Sequence, residues 1–220
     1  LANGAEGVGM CRTEFLYLGH VLPGEQQQYE SYRAIVEAMS PRPVVIRTLD
    51  LGGDKLSHAV DTSAEANPML GWRGIRICLD TPSLFKTQIK AILRAAACGD
   101  ARILLPMVSR IDEVRRARSL ISEAASELAA EGIDHRADCD LGVMIEVPSA
   151  AIMARQFAEE VEFFSLGTND LVQYTLAVDR GTARVANLYD PLHPAVLRLI
   201  REVSDSARDA GISAAICGEM

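Results

Sequence analysis

The sequence predicts an α/β fold of the TIM (β/α)8-barrel type. Short apolar runs alternate with helix-forming segments along all 220 residues. Several of those runs are continuous rather than alternating, as in parallel strands covered on both faces. Arg12, Arg47, Glu146, Asn169, Asp170 and Cys217 all fall at or just after the C-terminal ends of expected strands. A barrel gathers such positions on one face, whereas an open sheet spreads them along its edge.

The elements follow in order. EGVGMCR (6–12) reads as a strand and EQQQYESYRAIVEAM (25–39) as a helix. PVVIRTL (43–49) is a stronger strand with a Gly-Gly loop after it, and GIRICL (74–79) a weaker one. TPSLFKTQIKAILRAAACG (81–99) is an amphipathic helix. Phe85, Ile89, Ile92 and Ala96 share its face, Pro82 suits the first turn and Gly99 the stop. ARILLPMV (101–108) is a strand, and the next helix, running to Gly132, is expected to open on a capping box of Ser109 and Asp112. LGVMIEV (141–147) is a strand, Ser149 to Glu160 a helix and FFSLG (163–167) a strand. Pro194 to Ala210 is a helix with Leu197, Ile200, Val203 and Ala207 inward, and ISAAIC (212–217) is the last strand.

That makes seven expected strands, where a barrel has eight and about 250 residues. The expectation is a single barrel domain over residues 1–220, one strand-helix unit short after Met220, with the edges of its first and seventh strands unpaired. LANGAEG has no initiator methionine and no signal-peptide pattern, so the chain is expected to start and stop inside a larger protein.

Composition narrows the function. A net charge of −8 argues against a nucleic-acid or anionic-membrane binder, since both need a basic surface. No apolar stretch is long enough to span a bilayer. The five cysteines form no CxxC pair, which argues against a disulfide framework or zinc knuckle and for a reducing, cytoplasmic setting.

Among chemistry-bearing residues, GTNDL (167–171) follows a buried strand. Gly167 permits close backbone approach, while Asn169 and Asp170 equally suit a helix cap, the commoner use of such residues. Glu146 ends the run GVMIE. By spacing alone it is a hard-metal ligand or the partner of an arginine; with Asp170 it would suit Mg²⁺, with Mn²⁺ as the alternative. Arg12, Arg47, Arg73, Arg76 and Arg180 stand in loop or strand-end contexts, where a guanidinium can clamp phosphate or carboxylate. For these the competing role is a salt bridge to Glu14, Asp50 or Glu146. His20, His135 and His193 have no partner pattern, and His58 in GGDKLSH is a weak candidate phosphoryl acceptor. No nucleophile elbow supports a serine triad.

The blocks GVGMCRTEFLY, VIRTLDLGGDK, NPMLGWRGIRI, GVMIEVPSA, FFSLGTNDLVQYTLAVDRG and ICGEM together resemble the phosphoenolpyruvate-binding, C-terminal domain of Enzyme I of the bacterial sugar phosphotransferase system. The resemblance spans essentially the whole chain. Pyruvate phosphate dikinase and phosphoenolpyruvate synthase share parts of the pattern, and MCRTE leans toward the dikinase. EFLY, LDLGGDK, GWRGIR and YTLAVDRG resemble Enzyme I. The resemblance implies a TIM barrel and a phosphotransferase that passes the phosphoryl group of phosphoenolpyruvate to a histidine on a separate domain, releasing pyruvate. It implies phosphate binding by Arg12 and Arg47, substrate contacts from Arg73, Asn169, Asp170 and Arg180, Mg²⁺ held by Glu146 and Asp170, and Cys217 as proton donor. It further implies a histidine-containing phosphocarrier protein as indirect partner and a homodimer at full length. The family's GGxxSH-type acceptor loop lies upstream of the barrel; GGDKLSH has one residue too many and sits inside it, which rules out His58 as acceptor. A sensing module that binds phosphoenolpyruvate without turnover is the reading from another class, and the intact residue set argues against it.

Overall fold

The computed structural model describes residues 4–17, 21–52 and 65–219; His20 and His58 lie outside them. Six parallel strands form one sheet in sequential order: β1 (Val8–Cys11), β2 (Val44–Arg47), β3 (Ala101–Leu105), β4 (Leu141–Ile145), β5 (Phe163–Leu166) and β6 (Ser213–Ile216). Sequential order with every pair parallel requires each connection to cross back over the sheet. The crossovers contain α1 (Glu25–Met39), α2 (Ile75–Asp80), α3 (Pro82–Ala96), α4 (Ile111–Ala130), α5 (Pro148–Ile152), α6 (Ala154–Phe157), α7 (Thr168–Leu176) and α8 (Pro194–Ala210). The sheet curls as half a barrel.

The count of seven strands is corrected to six by GIRICL. Ile75–Asp80 is helical, and Ile75, Ile77 and Cys78 are buried. A short apolar run has no period that separates a strand from a buried helical turn. Gly74 decides the matter locally. Its φ of +58° turns the chain into α2, and a Cβ there would meet Met107 Cβ at 2.9 Å.

Three smaller expectations also change. The capping carboxylate of α4 is Glu113 rather than Asp112: it accepts from the Ser109 N–H at 2.7 Å and the Arg110 N–H at 2.8 Å. The segment 149–160 divides at Met153 into α5 and α6, with no glycine or proline to mark the break. In α8, Val196 is buried with Val203 and Ala207, while Leu197 is exposed. The α3 face holds as expected, with Phe85, Ile89, Ile92 and Ala96 all buried.

Strand parity sorts the core into two layers. Ile46, Ile103, Leu105, Val143, Ile145, Phe164 and Leu166 belong to the large cluster between sheet and helices. Leu104, Met144 and Phe163 form a smaller cluster on the other, inner face, with Met10, Val45 and Cys217 against it. Gly142 belongs to this inner face, because a Cβ there would collide with the Phe163 ring. The same parity places Arg47, the last residue of β2, and Glu146 and Gly167, just past β4 and β5, on the inner face as well.

Candidate functional site at the strand ends

One cleft at the C-terminal ends of the strands is lined by Arg12, Arg47, Glu146, Asn169, Asp170, Arg180 and Cys217, together with Met10, Met144, Gly167 and Gly218. The structure therefore brings together seven of the eight residues singled out in the sequence. Arg73 stands just behind the cleft. Its Nη2 pairs with Asp50 Oδ1 at 3.0 Å and reaches Asp170 Oδ2 at 4.0 Å. Arg76 is structural, donating to the Leu70 and Gly71 carbonyls at 2.9 and 2.7 Å.

Arg47 makes the salt bridges that were one of its two expected roles and also stands in the cleft. Its guanidinium pairs with Asp50 at 2.8 Å and Glu14 at 3.1 Å, yet it lines the cleft and its buried Nε has no partner. Burial works against its charge, but Asp50, Glu14 and Glu146 outweigh that and hold its pKa above the ordinary value. Below it, Thr13 donates to the Arg47 carbonyl at 3.0 Å, and Gln88 donates to Thr13 Oγ1 and the Tyr32 hydroxyl, both at 3.1 Å. These buried bonds tie the ends of β1 and β2 to α1 and α3.

Glu146 is buried and accepts the Met107 N–H at 2.6 Å. Among the described residues it makes no ion pair. Burial, then the nearby Asp50 and Asp170 carboxylates, push its pKa well above the usual carboxylate range. Gly167 makes this placement possible, since a Cβ there would lie 2.8 Å from both Cβ and Oε2 of Glu146. The close approach read from GTNDL is thus a contact with the carboxylate itself.

Asn169 accepts the Glu219 N–H at 2.9 Å through Oδ1. Arg180 Nη1 lies 3.8 Å from Glu219 Oε2, and its backbone N–H donates to Gln173 at 2.9 Å. Cys217 follows β6 on the inner face. Its sulfur accepts from Ser165 Oγ at 3.2 Å and its thiol donates to the Leu166 carbonyl at 3.3 Å. Burial pushes the Cys217 thiol up, so it is protonated at neutral pH. All five cysteines are free.

Sequence reading named Glu14 and Asp50 only as salt-bridge partners and did not single out Ser165 or Gln88. Asp50 had one usable signal, its place three residues after Arg47 at the same strand end. His193 caps α8, accepting the Ala195 N–H at 3.2 Å, and His135 Nδ1 contacts the Ile133 carbonyl at 2.9 Å; neither lines the cleft.

The whole chain, residues 1–220, matches the family described as PEP-utilising enzyme, PEP-binding domain. The chain belongs to that family. Within the PEP-utilising enzymes, it is 49% identical over 221 aligned residues to the phosphoenolpyruvate-protein phosphotransferase of Staphylococcus carnosus, covering 100% of this chain and 39% of that protein. The protein of the same description from Geobacillus stearothermophilus is also 49% identical, with 100% and 38% covered. This PEP-binding domain chain thus spans well under half the length of the curated relatives it matches. Among solved structures, it resembles an HpcH/HpaI aldolase/citrate lyase family protein from Burkholderia cenocepacia, at a TM-score of 0.59 and 16% identity, covering 97% of this chain and 71% of that one. A citrate lyase from Burkholderia xenovorans follows at 0.52 and 19%, covering 89% and 64%. At such identities the likeness concerns the fold alone. Among the described residues, no helix is long and apolar enough to cross a membrane.

Proposed function

We propose that this chain is the phosphoenolpyruvate-binding part of a phosphoenolpyruvate-protein phosphotransferase. It binds phosphoenolpyruvate with Mg²⁺ and presents the phosphoryl group to a histidine on a separate domain, releasing pyruvate. The observation that carries this reading is the convergence of Arg12, Arg47, Glu146, Asn169, Asp170, Arg180 and Cys217 on one cleft. The names of the relatives point the same way.

The charges suit a metal-bound anion. Arg12, Arg47, Arg73 and Arg180 and the carboxylates of Glu14, Asp50, Glu146, Asp170 and Glu219 stand in and around the cleft. Glu146 and Asp170 are hard oxygen donors, and a buried carboxylate beside two others is relieved by a divalent cation. Among the described residues no cluster of three or more metal-ligating side chains occurs. Mg²⁺ fits such a sparse set, because it keeps water and phosphate oxygens as its other ligands. When bound, it would neutralise charge on the transferring group and on the enolate oxygen.

The chain's own residues supply the rest. Arg12 and Arg47 hold the equatorial phosphoryl oxygens. Asn169, the Asp170 backbone and Arg180 orient the substrate, with Arg73 kept nearby by Asp50. Loss of the phosphoryl group leaves the enolate of pyruvate, and the protonated Cys217 thiol delivers a proton to its methylene carbon. The histidine domain belongs to the same longer polypeptide, and the onward acceptor is a histidine-containing phosphocarrier protein. The six strands are consecutive strands of a (β/α)8 barrel, and the full-length protein is a cytoplasmic homodimer.

The test is Cys217→Ala in the full-length protein. Phosphoenolpyruvate affinity by calorimetry stays within about twofold, while pyruvate formation falls by roughly 100-fold or more, as expected for loss of a positioned acid. The wild-type rate should fall as pH rises through the elevated thiol pKa, since only the thiol form donates. A wild-type rate in the alanine variant would return Cys217 to a structural role.

A further inference from the structure

Within β5, Phe163, Phe164 and Leu166 are apolar and Ser165 is not. Ser165 is 2% exposed on the inner face, one layer above Phe163. A packing position there would take alanine, since a buried hydroxyl without a partner is costly. Its described partner is the sulfur of Cys217, 3.2 Å away on the neighbouring strand. Parallel pairing sets this up: Ser165 is opposite Ala215 and Leu166 opposite Ile216, so Cys217 continues β6 beside the end of β5. The Cys217 N–H donates to the Leu166 carbonyl at 3.1 Å, which fixes the backbone from which the thiol projects.

We propose that Ser165 is a positioning residue for Cys217, whose hydroxyl aims the thiol and stabilises the thiolate left after proton delivery. The inference rests on the reading of Cys217 as the proton donor. The hydroxyl donates into one sulfur lone pair, so the S–H is directed elsewhere. In the described geometry it meets the Leu166 carbonyl at 3.3 Å, and with substrate present it can turn to the enolate carbon. In the transfer, the S–H bond breaks with its electron pair staying on sulfur. A C–H bond forms from the carbon–carbon π pair of the enolate, and the C–O bond becomes the ketone of pyruvate. One proton moves and nothing is oxidised. Ser165 keeps its own proton throughout and gains a stronger acceptor as sulfur becomes anionic.

Other groups also act on the thiol. Burial raises its pKa and Glu146 adds to that, while Ser165, Arg47 and Arg12 oppose it. Ser165 is the one of these that touches the sulfur through a hydrogen bond.

The test uses the full-length protein with Mg²⁺ and two readouts. The first is the pH dependence of iodoacetamide labelling at Cys217, resolved from the other four cysteines by peptide mass spectrometry. The second is pyruvate formation, separated into kcat and KM. Ser165→Ala is expected to raise the labelling midpoint by about one pH unit, the size of one hydrogen bond to a charged group. It should lower kcat by roughly tenfold with KM for phosphoenolpyruvate little changed. Ser165→Thr keeps the hydroxyl and should restore both readings toward wild type. If the alanine variant does not fold by circular dichroism, Ser165→Gly removes the same hydroxyl and is read in its place. An unmoved labelling midpoint on loss of the hydroxyl overturns the proposal. A raised midpoint with an unchanged kcat instead overturns the proton-donor reading beneath it.

Discussion

Two clusters of opposite charges in this molecule have similar membership and different surroundings. Between α3 and α4, Lys86 reaches Glu127 at 2.5 Å and Glu123 at 3.7 Å, and Lys90 reaches Glu127 at 2.9 Å and Glu131 at 3.2 Å. At the strand ends, Arg47 and Arg73 share Asp50 at 2.8 and 3.0 Å, with Glu14 3.1 Å from Arg47. The distances are alike. The glutamates of the helical ladder are 41–52% exposed, whereas Asp50 is 3% and both arginines 10% exposed. Water screens the first set, so each pair there contributes little. At the second set the low dielectric makes each charge costly to leave alone and effective on a bound anion. What separates a solvated ladder from a binding site is therefore burial at a convergence point, and neither charge count nor pairing distance reveals it.

The contrast is broken or sharpened by substitution on either side. Arg47→Ala should have the largest effect. Phosphoenolpyruvate binding by the full-length protein should become undetectable by calorimetry. Because Asp50 and Glu14 lose a buried partner, denaturant unfolding should show a loss of about 3–5 kcal/mol. Unchanged affinity would make the strand-end network a structural ion cluster like any other. Gly167→Ala comes next. The added methyl must displace Glu146, which lies 2.8 Å from it. The Mg²⁺ dependence of phosphoenolpyruvate binding should weaken by roughly tenfold, as when the support of a metal ligand is lost. Stability should fall by about 1–3 kcal/mol. An unaltered Mg²⁺ titration would detach Glu146 from the metal. The smallest effect is expected from Glu127→Gln in the helical ladder: a melting-temperature change of no more than about 2 °C, with substrate affinity unaltered. A large loss in that variant would show that exposure is the wrong dividing line.

The sequence made the site unusually legible. Arg12, Arg47, Glu146, Asn169, Asp170 and Cys217 are each recognisable as polar residues at or just after the end of an apolar run, and the parallel fold brings all such ends to one side, while Arg180 joins them from the loop after α7. Arg73 differs, because its loop position says nothing of the Asp50 that it pairs with. Ser165 was missed for a different reason. It sits inside a buried run, where a serine looks like a small filler, and its partner is 52 residues away.

The sequence by itself determined the α/β class of the fold and the inward face of α3. Those depend on local period and apolar run length, which act within a few residues. Tertiary structure alone decided that Ile75–Asp80 is a helix, since a six-residue segment with three buried residues carries no period of its own. It also decided which carboxylates hold which arginines and that a serine on β5 faces the thiol after β6. Those facts depend on which strands are neighbours and on the parity of each inner face. A single residue of register shift would turn Ser165 or Cys217 toward the helices, and only the packed sheet fixes that register.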